Sequence, residues 1–130
     1  MTRKILTIIT LLLIFVSCKN TDYLSNEYGE IISDDIDRIE YYEGNNFLNS
    51  DKKPNSTITD KNKITEIVTE INNSNNPGLW KGAHWDKVLI ITKDTTLTFS
   101  TNGKVIGINH SSGIFYELKD EQFIKRYFAN

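Results

Sequence analysis

The chain has 130 residues, a single cysteine, two histidines and a formal charge of −2. Charge this near balance, with no basic stripe, excludes a nucleic-acid binder. One cysteine excludes a disulfide framework, so any fold must stand on its apolar core.

The first residues read as an address. Arg3 and Lys4 open the chain, and an apolar run from Ile5 to Val16 follows, broken only by Thr7 and Thr10. That run is shorter than the roughly 20 residues a spanning helix needs. It is also apolar on every face, which a small domain can hardly bury. A positive start, an apolar middle and a small residue before a break make the secretory layout. The residues Phe15-Val16-Ser17-Cys18 resemble the lipobox of bacterial lipoproteins, with Phe15 where Leu is usual. The resemblance covers residues 1–18 only. It implies a signal peptide of residues 1–17, cleavage before Cys18, a diacylglycerol on the Cys18 thiol and an acylated new amino terminus. A membrane partner bound through that lipid follows. Lys19, where inner-membrane lipoproteins often carry Asp, implies the outer membrane rather than the inner.

Without Arg3 and Lys4 the formal charge falls by two, to −4. Residues 18–33 show no sustained period, and from Asp22 to Glu43 carboxylates outnumber the single cation Arg38. This predicts a lipidated cysteine with an acidic, solvated tether. Residues 34–130 are then one domain.

Within it, "DRIEYYEG" alternates Ile39 and Tyr41 with polar neighbours, the period of a half-buried strand. "STIT" at Ser56–Thr59 is a short partner strand. Asp60 is a helix N-cap, and Ile64, Ile67, Val68 and Ile71 form one apolar stripe behind it. Asn72 and Asn73 close the helix, and the polar run from Asn72 to Gly78 predicts a loop. "KVLIIT" predicts a strand covered on both faces. Asn102-Gly103 predicts a two-residue type I′ hairpin, setting Phe99 opposite Ile106 and Leu97 opposite Ile108. "IFYEL" is a fourth strand, and Asp120 caps a last helix carrying Phe123, Ile124, Tyr127 and Phe128. The expected class is α+β: a strand pair, a helix, a three- to four-stranded antiparallel meander and a C-terminal helix, with the helices on one face.

The inventory for chemistry is sparse. His84 and His110 lack a second ligand at metal spacing. Asp34, Asp35 and Asp37 lack the glycine and closing glutamate of an EF-hand loop. His110 beside Ser111 and Ser112 is ordinary turn composition, since adjacent residues on a turn point apart. Neither a P-loop nor a G-x-G-x-x-G occurs, so no cofactor is expected. The segment Asn76 to Lys87 is the candidate binding surface, with Trp80, Lys81, His84 and Trp85 as its contacts for a protein partner in the envelope. Trp85, leading straight into a strand, is expected to fold back as a lid on the sheet core. For Trp80 lid and contact stand even. The expected function is a lipid-anchored, non-catalytic binding module, of the immunity or inhibitor type or an accessory subunit of an envelope assembly. The alternative is an envelope enzyme using His84 or His110, with Asp86.

Overall fold

The computed structural model describes residues 23–44, 53–79, 85–108 and 114–129. Among them the protein is an α+β domain. A short helix α1 (Leu24–Tyr28) and a 3-10 turn (Ser33–Asp35) lead into strand β1 (Ile36–Tyr42). Then come β2 (Ser56–Ile58), helix α2 (Lys61–Asn72), β3 (Asn75–Leu79), β4 (Asp86–Thr92), β5 (Thr96–Thr101), β6 (Val105–Ile108), β7 (Ile114–Glu117) and helix α3 (Phe123–Tyr127). All seven strands join one antiparallel sheet in the order β2-β1-β4-β5-β6-β7-β3.

Helix α2 forms for the reasons its residues dictate. The Asp60 carboxylate accepts the amides of Asn62 (2.8 Å) and Lys63 (3.2 Å), satisfying two donors of the first turn. Ile64, Ile67, Val68 and Ile71 bury the opposite stripe. They meet Ile36 and Ile39 of β1, Val88 and Ile90 of β4, Phe99 of β5, Ile106 of β6 and Tyr116 of β7 in one core cluster. Leu24 of α1 and Phe123 and Tyr127 of α3 enter the same cluster, so one face of the sheet is covered by the helices.

Four expectations need correction. The sheet is larger than a strand pair beside a three- to four-stranded meander. β1 bridges the two parts by pairing with β4, Ile39 opposite Ile90 and Tyr41 opposite Val88. The seventh strand lies where a loop was expected. β3 pairs with β7, Leu79 opposite Ile114 and Gly78 opposite Phe115, with a register shift between Asn75 and Gly78. It is an edge strand, so its outer groups meet water, its polar residues cost little, and Pro77 need not donate to a ladder.

The β5–β6 hairpin is also in a different register. Phe99 faces Ile108, Ser100 faces Gly107 and Thr101 faces Ile106. Only Gly103 of the turn has positive φ, at 92°, whereas a type I′ turn needs two such residues. Side chains close a longer turn instead. Thr101 Oγ1 donates to the Val105 carbonyl (2.7 Å) and accepts the Gly103 amide (3.0 Å). Asn102 Oδ1 accepts the amides of Lys104 (2.9 Å) and Val105 (3.0 Å). The partner of Phe99 moves by two residues, and a shift of two keeps every side chain on its face. The apolar pattern is therefore satisfied by both registers, and the turn chemistry chooses between them.

Finally, the described part of the lead segment is not a free tether. Leu24 is 1% exposed, and its amide donates to the Ser74 carbonyl (2.9 Å). The Asn72 side chain grips Ile31 twice, accepting its amide and donating to its carbonyl, both at 2.9 Å. The domain therefore begins before Asp34. Leu24, Ile31 and Ile32 are the segment's three aliphatic residues, too few to sustain a period, which is why it reads as linker.

Candidate functional site

Among the described residues the second face of the sheet carries no helix, so β4 is buried on one face and not covered on both as expected. Along β4, Val88 and Ile90 are buried with the core while Lys87, Leu89 and Ile91 alternate to the other side and are half-buried. The pairing registers extend this face into cross-strand rows. Tyr42, Lys87, Ser100 and Gly107 form one row, and Glu40, Leu89 and Thr98 the next. In the first row Phe115 of β7 lies across Gly107. A Cβ on Gly107 would stand 2.8 Å from both the Phe115 ring and the Ile114 carbonyl. Glycine lets the ring lie flat on the strand. Trp85 then stacks on Phe115, with ring centroids 4.5 Å apart and planes 9° from parallel.

Beside this stack the Lys87 ammonium donates to Ser100 Oγ. Burial lowers the Lys87 pKa below the usual lysine value, because the charged form loses water. Towards β1, Tyr42 donates to Glu40 (3.2 Å), and Arg38 pairs with the same carboxylate at 3.3 Å. Burial first, then the Glu40 charge, raises the Tyr42 pKa. The face thus presents an aromatic platform, an aliphatic strip of Leu89 and Ile91, and flanking groups of both charges. It suits contact with another surface better than capture of a small ion.

Of the residues singled out in the sequence, Trp85 lies on this face, away from the core, and is therefore not the lid on the sheet core that was expected. Cys18, Trp80, Lys81, His84 and His110 lie outside the described residues. Asp86 points to the core side, where its two oxygens accept the Tyr41 hydroxyl and the Gly44 amide, each at 2.7 Å. Asp34, Asp35 and Asp37 meet Asp94 of the β4–β5 turn around a cavity of about 540 Å³ that Lys93 also lines. Asp94 could not be grouped with them before the β1–β4 pairing was known. Among the described residues, no three His, Cys, Asp or Glu side chains are disposed to hold a metal ion, and no helix is long and apolar enough to cross a membrane. Phe115 was not foreseen as the partner of Trp85. The signal was Gly107 within a strand, which marks a close approach by a neighbour.

No family model matches the chain, and neither curated proteins nor solved structures gave a match. The fold and the open face are therefore what define its class: an α+β module with one sheet face covered by helices and one presenting mixed aromatic and polar groups.

Proposed function

We propose that the protein is a lipid-anchored binding module of a bacterial cell envelope, without a catalytic role. Phe15-Val16-Ser17-Cys18, behind a short apolar run, carries this reading. Cys18 takes a diacylglycerol as a thioether, its new amino group is acylated, and Lys19 directs the protein to the outer membrane. One buried chain anchors only marginally, at about 0.8 kcal/mol per methylene, whereas two or three on one residue hold firmly. The open sheet face is the contact surface for an envelope protein, with Trp85 over Phe115 at its centre. An immunity or inhibitor protein and an accessory subunit of an assembly are the two forms this module takes. Asp86, which an enzyme built on His84 and His110 would recruit, spends both its oxygens on Tyr41 and Gly44.

Affinity purification of the full chain from membranes, read by mass spectrometry, tests the reading. The expected result is a peptide beginning at acylated Cys18, together with an envelope protein that Trp85→Ala no longer retains. Peptides from residues 1–17 joined to an unmodified Cys18 would overturn the anchor. Loss of the cellular phenotype in His84→Ala/His110→Ala, with the partner still bound, would favour the enzyme.

A further inference from the structure

If Cys18 is the anchor, the fold also sets how the domain stands on the membrane. Cys18 and Leu24 are six residues apart. An extended chain covers at most 3.3–3.6 Å per residue, so about 22 Å is the longest possible leash and its ordinary reach is shorter. Leu24 cannot lengthen it, being buried in the core with its amide on the Ser74 carbonyl. Ser74 immediately precedes β3, whose Asn75 faces Glu117, and Glu117 faces Val105 just beyond the β5–β6 turn. Leu24 is thus fastened at the end of the sheet that carries this turn. The opposite end, where Ile36 faces Thr92, carries the cavity of Asp34, Asp35, Asp37 and Asp94. The six steps of β4 from Asp86 to Thr92 separate the two ends, about 20 Å at the rise of an antiparallel strand.

We propose that the bilayer surface is the partner of the β5–β6 end. The domain rides with this end against the lipid headgroups and the cavity end turned away. The inference rests on the lipid-anchor reading. Among the described residues the near end carries Lys53, Lys104 and Lys119 with Glu43, Asp86, Glu117 and Glu121, and the far end sets the four cavity carboxylates beside Lys93 and Lys61. Both ends are therefore acidic, and the short leash, not charge, sets the orientation.

The test uses full-length protein expressed in a bacterium, purified from its membranes and reconstituted in vesicles of phosphatidylethanolamine and phosphatidylglycerol. A fluorophore is attached at Lys104→Cys or at Asp94→Cys, each the sole free thiol once the Cys18 sulfur is a thioether. Energy transfer to a headgroup-labelled lipid should be several-fold stronger from position 104 than from position 94. A Gly/Ser insert of roughly 30 residues after Lys19 adds about 30 Å of mean reach and should make the two positions alike. Equal transfer from both in the chain of native length, with Cys18 acylated by mass, overturns this proposal alone. A chain whose Cys18 carries no lipid overturns the anchor and this proposal together.

Discussion

Tyr41 donates its hydroxyl to Asp86 across the β1–β4 pair at 2.7 Å, while its ring stacks on Phe128 with centroids 4.8 Å apart. The other Asp86 oxygen takes the Gly44 amide at 2.7 Å. One carboxylate thereby joins the end of β1, the start of β4 and the last turn of the chain. Hydrogen bonds to a charged group are worth about 1.5–3 kcal/mol each. Asp86→Ala should lower the unfolding free energy by about that amount in a urea titration. Asp86→Asn, which keeps an acceptor oxygen, should lose less.

Alkaline stability should depend on the same pair. Burial first, then the hydrogen bond and the charge of Asp86, raises the Tyr41 pKa far above that of a free phenol. The unfolded chain releases this proton near pH 10 and the folded chain holds it. The folded state then binds more protons, so stability falls as pH rises above about 10. The contribution is complete below that pH. Tyr41→Phe removes the titrating group, and its urea midpoint should fall less steeply from pH 9 to 11 than that of the parent, about one unit either side of the phenol pKa.

Gly107→Ala should break the aromatic stack. The new methyl would sit 2.8 Å from the Ile114 carbonyl, a backbone atom that cannot swing aside. Overpacking of this kind costs about 1–3 kcal/mol. The near-ultraviolet dichroism of Trp85, read in a Trp80→Phe background, should weaken together with the stability.

Asn72→Ala should free the lead segment without melting α2. The substitution leaves the amide and carbonyl of Ile31 without their side-chain partner. Hydrogen exchange at Ile31 should accelerate by orders of magnitude, while Ile67 and Val68 stay protected. Unchanged exchange at Ile31 would show that Leu24 alone holds the segment.

Elements that carry their own chemistry were legible in the sequence. Asp60 with the stripe of Ile64, Ile67, Val68 and Ile71 specifies α2 locally, and the alternation around Ile39 specifies β1. What escaped depends on distant partners or on side chains acting as backbone. β3 exists because β7 offers it a ladder, and nothing in "NNPGL" announces that. The hairpin register follows from hydrogen bonds of Thr101 and Asn102 that the apolar pattern does not encode. At the candidate site Trp85 was expected to cover the sheet core, whereas it stacks on Phe115 on the opposite face, a perch that required knowing which strand neighbours Gly107.

The two margins of the sheet have a consequence for crowding. One is β2, three residues long, and the other is β3, interrupted by Pro77 and by Asn76 with φ at 54°. Neither offers a long row of unsatisfied amides and carbonyls on which a second molecule could anneal. Copies gathered at high density should therefore stay separate instead of zipping into fibrils.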